Sequence, residues 1–203
     1  MQLVAIDTTS AVATVALFEG DVCVAKAEAA AFHGQAEALL PLIEKTLDEA
    51  KRDKRTVGTW VACAGPGSFT GIRIALATVR GICLATGAKG VSVSAFAAVR
   101  AAQGGEEAER EVAIVIPGLP GEYFCEVTKG TEVLMQPTLC DGAALAEVFA
   151  AYPGATRVEV KATSAEAVGR AFLRYGGDEA LSPLYIAPPR ITIPKAKTFA
   201  PKT

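Results

Sequence analysis

The stretch CAGPGSFTGIRIALATVRG, residues 63–81, places three glycines and a proline within seven residues and then continues directly as a helix-like run. Glycine has no Cβ, so loops of this composition let backbone N–H groups approach a phosphate closely. A short buried strand is predicted before the loop, at residues 59–64, and a helix after it, at residues 71–85. Three interpretations follow: a nucleotide site, an activated serine, or a surface shaped for another protein.

Bulk composition limits the class of protein. The chain has 203 residues, of which 51% are hydrophobic and 21% are charged, as is usual for one folded domain or two small ones. No run reaches the roughly 18 uninterrupted apolar residues of a membrane-spanning helix. Asp7 lies where a signal peptide would be apolar. We therefore expect a cytoplasmic protein with no membrane partner.

The net charge, the single histidine and the cysteines argue against three further classes of protein: those that bind nucleic acid through their overall charge, those that hold a metal, and those with disulfides. A net charge of −2 provides no global attraction to nucleic acid, so any contact with tRNA would be local or indirect. The single histidine, His33, is followed by Glu37 at i+4, and this pair is too small for a metal site. An odd number of cysteines without a C-x-x-C pair predicts free buried thiols rather than disulfides. These cysteines are Cys23, Cys63, Cys83, Cys125 and Cys140.

The first half of the chain has the element order of a ribonuclease-H-like lobe. Three short apolar segments predict antiparallel strands, and Glu19-Gly20-Asp21 predicts a tight hairpin between the second and third. A helix that contains Pro41 follows, and its predicted apolar face consists of Ala36, Leu39, Leu40, Ile43, Leu47 and Ala50. After the glycine loop and its helix come a strand and another helix. We assign this lobe to residues 1–103.

The pattern partly repeats after a polar run, which indicates a second, smaller lobe at residues 112–180. Its elements are three strands, a helix capped by Asp141, a fourth strand, and a helix opened by capping-box spacing between Thr163 and Glu166. Residues 181–203 are basic and rich in proline, which predicts an extended tail. That tail is either solvated or docked on a partner.

The glycine loop lacks the residues that phosphate transfer or nucleophilic catalysis requires. A P-loop needs a lysine, and none lies between Lys54 and Lys89. A nucleophile elbow of the form G-x-S-x-G would need glycines on both sides of Ser68, but Pro66 takes the first place and Gly71 lies one residue too far. Ser68 is therefore predicted to cap the following helix.

An ATP site shared between two lobes is the remaining enzymatic option. Such sites begin with an aspartate and a glycine after the first strand. Here Asp7, Thr8, Thr9 and Ser10 supply a carboxylate and hydroxyls but no glycine, so they are candidates only for a weak nucleotide contact. We expect no catalytic residues and no metal ligands in this chain.

The helix that follows the loop carries two apolar stripes. Bulky residues on one stripe suit the sheet, while Gly71, Ala75, Thr78, Ile82 and Ala85 form a stripe of mostly small residues. This stripe packs either on its own sheet or against a helix of another protein. A predicted partner surface consists of this helix and the first helix. Its residues are Gly71, Arg73, Ala75, Thr78, Arg80, Ile82, Leu39 and Ile43.

Four segments of the sequence resemble the bacterial TsaB (YeaZ) family. They are IDTTSAVATVAL near the N-terminus, His33 followed by LLPLI, the block GPGSFTGIRIALATVRGIC, and SPLYI. The resemblance implies an α/β fold of the ASKHA, actin-like ATPase type, with two ribonuclease-H-like lobes of which the second is smaller. It also implies self-association when alone and a heterodimer with the catalytic paralogue TsaD, which the ATPase TsaE joins. The two helices would form the pairing surface.

The function implied by this resemblance is that of a non-catalytic scaffold. It would support TsaD in forming threonylcarbamoyladenosine at adenosine 37 of tRNAs that read ANN codons, with ATP and metal on the partner subunits. The alternative is an enzyme, either an ATP-dependent phosphotransferase or an M22-type glycoprotease-like peptidase. The chain departs from the family at residues 116–123, which lack the usual aspartate and arginine, and at Ala187, where an arginine is usual.

Overall fold

The computed structural model describes residues 1–30, 34–104 and 110–187. The strands in this range are β1 (Gln2–Asp7), β2 (Val12–Glu19), β3 (Val22–Ala30), β4 (Thr59–Cys63), β5 (Lys89–Val93), β6 (Glu111–Pro117), β7 (Glu122–Lys129), β8 (Glu132–Asp141) and β9 (Thr156–Glu159). The α-helices are α1 (Gln35–Glu49), α2 (Phe69–Thr86), α3 (Ala95–Ala102), α4 (Gly142–Ala151) and α5 (Ala165–Tyr175).

Each lobe is built around one mixed sheet. The first sheet has the order β3-β2-β1-β4-β5, in which β1, β2 and β3 pair antiparallel and β4 and β5 extend the sheet in parallel. The second sheet has the order β8-β7-β6-β9, with β9 parallel to β6. A hairpin turn with φ 61° at Gly20 joins β2 to β3, as predicted. The predicted fold of two ribonuclease-H-like lobes, the second smaller, is confirmed.

The sheets and helices form five layers. Helices α1 and α2 cover one face of the first sheet, where Trp60, Leu39 and Leu76 belong to one apolar core. Helices α3 and α5 lie between the two sheets, and their core includes Phe96 of α3, Val168 of α5 and Ile114 of β6. Helix α4 covers the outer face of the second sheet. The two sheets are therefore joined through a shared helical layer.

Helix α1 turns a different face to the sheet than its sequence pattern predicts. Leu39, Ile43 and Leu47 are buried as expected, but Leu42 and Thr46 complete the buried face. Leu40 is 54% exposed and so is not part of the core. Thr46 is tolerated in the apolar layer because its hydroxyl donates to the Leu42 carbonyl at 2.8 Å.

The C-terminal part of the described chain returns to the first lobe, so the predicted boundary at residue 180 is wrong. Helix α5 packs on the first sheet, and Asp178 pairs with Ser92 beside β5. Leu181 is 6% exposed and lies in the core under α1 and α2. The Leu184 N–H donates to the Ala64 carbonyl at 2.9 Å. Residues 181–187 are thus packed rather than an extended tail, and residues 188–203 lie outside the described residues.

The helix caps were predicted only in part. Asp141 accepts hydrogen bonds from the N–H groups of Ala143 and Ala144 and caps α4, as expected. The predicted capping box of α5 is wrong, because Ser164 rather than Thr163 is the cap. Glu166, the expected partner of that cap, instead forms ion pairs with Lys26 and Arg170 at 2.8 Å each.

All five cysteines carry free thiols. Cys63, Cys125 and Cys140 are buried, whereas Cys23 and Cys83 are only half-buried. The expectation of buried thiols therefore holds for three positions and is wrong for the other two.

Helix α2 is long and apolar enough, by length and by a mean hydropathy of 1.3, to cross a membrane. Core helices of globular folds pass the same test. Here Gly71, Ile72, Ala75, Leu76 and Val79 are buried within the first lobe. These residues are 28% of the helix and form its contact with the first lobe.

Glu126 is an acidic residue buried on the face of the second sheet that packs on α3, and its Oε1 has no hydrogen-bond partner among the described residues. Burial raises the pKa of Glu126, and the charge of Arg100 opposes this only in part. A carboxyl whose pKa is raised by folding stabilises the fold at low pH, and this contribution is lost as the pH rises through that pKa.

We expect Glu126→Gln to raise the denaturation midpoint at about pH 8, with a gain that vanishes toward about pH 4 as the native carboxyl becomes protonated. Urea unfolding at both pH values measures the effect. Glu132→Gln, on exposed β8, is the control and should change neither midpoint. If the Glu126→Gln protein is less stable than the native one at pH 8, the attraction of Arg100 outweighs desolvation.

Candidate functional site

The glycine loop connects β4 to α2 at the carboxyl end of the first sheet. Ser68 caps α2, because its hydroxyl accepts the Gly71 N–H at 3.1 Å. The loop also anchors α3, since the Gly65 carbonyl accepts the Ala95 N–H at 2.7 Å. The predicted role of Ser68 as a cap is confirmed, and the loop uses its backbone groups to position two helices.

The loop closes directly on the segment that follows β1. A Cβ at Gly71 would lie 1.7 Å from the Thr8 carbonyl oxygen, and one at Gly67 would lie 2.6 Å from that of Thr9. The Thr8 hydroxyl donates to the Gly71 carbonyl at 2.6 Å, and the Ser68 N–H donates to the Thr9 carbonyl at 2.7 Å. Glycine is required at these positions because backbone meets backbone without room for a side chain.

The carboxylate of Asp7 is enclosed by hydroxyl groups. Asp7 is 1% exposed, and its Oδ1 accepts from the N–H of Thr9 at 2.8 Å and from the Thr9 hydroxyl at 2.7 Å. Its Oδ2 accepts a short hydrogen bond from the hydroxyl of Thr163, which precedes α5. These donors compensate the buried charge. Asp7 therefore ties β1 to the start of the last helix.

The residues present do not fit a triphosphate in the position that ASKHA-type ATPases use. The side chains of Asp7, Thr8 and Thr9 are buried and hydrogen-bonded within the chain, so their carboxylate and hydroxyl groups are not free to bind phosphate or a metal there. Of the four candidates for a nucleotide contact, Thr9 and Ser10 line the neighbouring cleft. The Ser10 hydroxyl donates to the Val12 carbonyl at 3.1 Å.

Cys63 lies beneath the same cluster at the end of β4. Its complete burial and the nearby charge of Asp7 hold the pKa of the Cys63 thiol well above its usual value. A neutral buried thiol is a poor nucleophile. Among the described residues there is also no group of three or more His, Cys, Asp or Glu side chains that would hold a metal ion. His33 lies outside the described residues.

Helix α2 is rotated about its own axis relative to the orientation that its two apolar stripes predict. Gly71 and Ala75 are buried against the first sheet, together with Ile72, Leu76 and Val79. Leu39 and Ile43 of α1 are also buried. These four predicted interface positions, Gly71, Ala75, Leu39 and Ile43, are therefore core residues and do not reach the surface. Thr78 and Ile82 lie half-buried at the edge of the core.

The exposed side of α2 is a different set of residues, which we call the outward face of α2. It consists of Thr70, Ala77, Gly81 and Leu84, whereas Ile74 is half-buried against the core. Leu84 is 90% exposed, and a Cβ at Gly81 would meet no atom within 4 Å. This face combines small residues with one fully exposed large apolar side chain.

Arg73 and Arg80 flank the outward face but are engaged within the chain. The Nε of Arg73 donates to the Tyr185 hydroxyl at 3.0 Å, and its guanidinium lies 3.9 Å from the centre of the Phe69 ring. Arg80 donates to the Leu181 carbonyl at 2.9 Å. Both arginines hold the C-terminal segment against α2, a role that the sequence pattern did not indicate.

A cleft of about 840 Å³ opens between the lobes beside the glycine loop. We call it the interlobe cleft. Its walls are the loops after β1, β4 and β6, the first residues of α2 and α3, part of β7 and β8, the residues between β9 and α5, and residues 184–187. Phe69 and Tyr185 stack on one wall with ring centroids 4.9 Å apart. Thr9 and Thr163 separate the cleft from Asp7.

Comparisons with known proteins agree with this geometry. The family model described as TsaD, tRNA N6-adenosine threonylcarbamoyltransferase, matches residues 27–170, so the chain belongs to this family. That family makes threonylcarbamoyladenosine on tRNA, which confirms the resemblance at the level of the family. No curated protein sequence matches the chain.

Two solved structures from Pseudomonas aeruginosa share the fold over almost their whole length. One is an uncharacterized protein with similarity to peptidase YeaZ, with a TM-score of 0.72 and 23% identity over 92% of this chain and 99% of that one. The other is YeaZ, with a TM-score of 0.68 and 23% identity over 91% and 99%. Component A of Acidaminococcus fermentans (R)-2-hydroxyglutaryl-CoA dehydratase is 14% identical over 89% and 72%, with a TM-score of 0.47.

Two glycines of α2 allow a matched test of the close approach to β1. Gly71→Ala forces a Cβ against the Thr8 carbonyl, and we expect it to destabilise the protein by about 2 kcal/mol or more. Gly81→Ala meets open space and should stabilise it by about 0.5–1 kcal/mol through helix propensity. Urea unfolding of both variants measures the difference, and equal effects would contradict the described packing.

Proposed function

We propose that this chain is a non-catalytic subunit that pairs with a TsaD-type catalytic paralogue. In this role it supports formation of threonylcarbamoyladenosine at adenosine 37 of tRNAs that read ANN codons. The observation that carries the proposal is the closed loop after β1, where Gly71 touches the Thr8 carbonyl and Asp7 is enclosed by hydroxyls. A chain that fills its own phosphate-binding position has lost the means of handling ATP there.

The outward face of α2 supports the pairing role. Small residues let a partner helix approach closely and exchange side-chain bulk for contact area. Leu84 on this face and Leu40 on neighbouring α1 are 90% and 54% exposed, and both would be buried by a partner helix. Arg73 and Arg80 border the same face and remain exposed. This surface replaces the predicted one, which included core residues.

The remaining assignments follow from the pairing. ATP and metal would be bound by the partner subunits, TsaD and the ATPase TsaE, rather than by this chain. tRNA would be contacted only indirectly, in agreement with a net charge of −2. The same apolar face would let two copies associate when the partner is absent. Such a complex would act in the cytoplasm, where the tRNA substrate is.

Pairing is tested by adding bulk to the outward face without disturbing the core. We expect Gly81→Leu to weaken association with the TsaD-type partner by about 1–3 kcal/mol, roughly 5- to 150-fold, because the larger side chain prevents close approach. Co-purification and size-exclusion chromatography of the mixed subunits measure the loss. Ala146→Leu, on exposed α4, is the matched control. Undiminished pairing of the Gly81→Leu protein would refute this surface.

The enzymatic alternative is tested separately on the purified chain. We expect no magnesium-dependent ATP hydrolysis above buffer, since Asp7 is buried and both of its carboxylate oxygens accept hydrogen bonds within the chain. A coupled phosphate-release assay measures turnover, with Asp7→Asn as the comparison. Robust hydrolysis that is lost in the Asp7→Asn protein would favour the phosphotransferase over the scaffold.

A further inference from the structure

The interlobe cleft lies beside the closed loop and has no part in the proposed pairing. Its volume of about 840 Å³ falls within the range of roughly 300–1,000 Å³ that is typical of small-molecule sites. Its two sides come from different lobes, so a bound molecule would touch both. We propose that this cleft binds a small planar apolar molecule that carries a single negative charge.

The lining supports an apolar body for this ligand. Large apolar side chains from both lobes and from the C-terminal segment reach the cleft. They are Ile72, Ile116, Leu119, Phe124, Leu139, Leu184 and Ile186. Leu119 is 55% exposed, and a ligand in the cleft would bury it.

The aromatic wall favours a planar ligand. Phe69 and Tyr185 stack with an interplanar angle of 27°, and Arg73 lies over the Phe69 ring, so these three groups are held in place. Tyr185 is 41% exposed even though it is fixed by its hydrogen bond to Arg73. A rigid aromatic group that is still partly exposed offers a stacking surface at little cost in conformational entropy.

The charges of the lining select a single negative charge. Lys161 and Arg73 line the cleft, and within the described chain neither the ammonium nor the terminal guanidinium nitrogens have a hydrogen-bond or ion-pair partner. Glu122 is the one acidic residue among the described residues of the lining. Two cations against one carboxylate leave one positive charge in excess. A monoanion matches this excess, whereas a triphosphate does not.

The closed loop after β1 also means that this ligand does not bind in the position that a nucleotide would take. In the cleft, the phosphate position is filled by Gly67, Gly71 and the Thr8–Thr9 backbone. The ligand therefore lies between Lys161 and the Phe69–Tyr185 wall rather than against Asp7. The site does not depend on the proposed pairing with TsaD, because none of its lining residues belongs to the outward face of α2, although Arg73 borders that face.

Two fluorescent probes test the shape and the charge independently. 8-Anilinonaphthalene-1-sulfonate joins a planar apolar naphthalene ring system to one sulfonate charge, and N-phenyl-1-naphthylamine is the same molecule without the sulfonate. We expect the full chain to bind the sulfonate saturably at one site per protein, and more tightly than the neutral probe. Near-ultraviolet circular dichroism of each variant confirms that the protein is folded.

Three substitutions distinguish the contribution of charge to probe binding from that of stacking. Lys161→Gln should weaken the anionic probe about fivefold, the size of a partly exposed ion pair, and leave the neutral probe unchanged. Tyr185→Ser should weaken both probes, since it removes the stacking surface. Lys129→Gln, an exposed cation on β7 outside the lining, should change neither.

Three outcomes would overturn the proposal. The first is no saturable binding of either probe to the folded chain. The second is an equal effect of Lys161→Gln and Lys129→Gln, which would indicate a purely apolar site suited to a peptide segment. The third is displacement of the sulfonate by equimolar ATP, which would indicate a nucleotide site. The first two outcomes do not bear on pairing with TsaD. The third also bears on the expected lack of ATP handling, and the separate pairing measurement with the Gly81→Leu protein then distinguishes failure of this inference from failure of the proposed function.

Discussion

The contact between α2 and the carboxyl end of β1 is the constraint on which the rest of the structure depends. At Gly71 the helix backbone rests on the Thr8 carbonyl, and the Thr8 hydroxyl returns a hydrogen bond to the helix. This contact sets how far α2 is turned about its axis. Its rotation then decides which residues are buried in the first lobe and which form the outward face. It also closes the space that a phosphate would otherwise enter.

The closed loop and the exposed helix face are two results of one arrangement. Because the start of α2 packs directly against the Thr8 backbone, Gly71 and Ala75 are buried in the core. Gly81 and Leu84 remain exposed at the surface. The chain belongs to the family of tRNA threonylcarbamoyltransferases, and in this structure the Asp7 carboxylate and the Thr9 hydroxyl are hydrogen-bonded to each other beside the glycine loop. The interlobe cleft remains open beside it, with a different set of chemical groups.

Local features of the fold were predictable from the sequence, and long-range ones were not. The hairpin at Gly20, the cap at Ser68 and the cap at Asp141 depend on residues within a few positions, so their patterns identified them. The rotation of α2 depends on Thr8, which is 63 positions from Gly71, and a stripe of small residues does not reveal which backbone they meet.

Contacts between residues that are far apart in the sequence also explain which roles at the site the sequence did not predict. Thr163 was interpreted as a helix cap, although its hydroxyl binds a carboxylate 156 positions away. The pairing of Arg73 with Tyr185 spans 112 positions, and although both residues lie in segments that the sequence singled out, nothing in the sequence connected the two segments. Spacing within one helix predicted that the arginines were available to a partner. In the structure each arginine also donates a hydrogen bond to the C-terminal segment, while its side chain remains exposed.

The position of α5 has a consequence for how the protein is made. This helix comes near the end of the described chain, yet Ala165, Val168 and Ala171 are completely buried in the core between the two sheets. Until the ribosome has released residues 165–175, the inner face of the first sheet remains uncovered on that side. The first lobe therefore cannot finish folding during synthesis of its own half of the chain, and its completion waits for the second lobe to emerge.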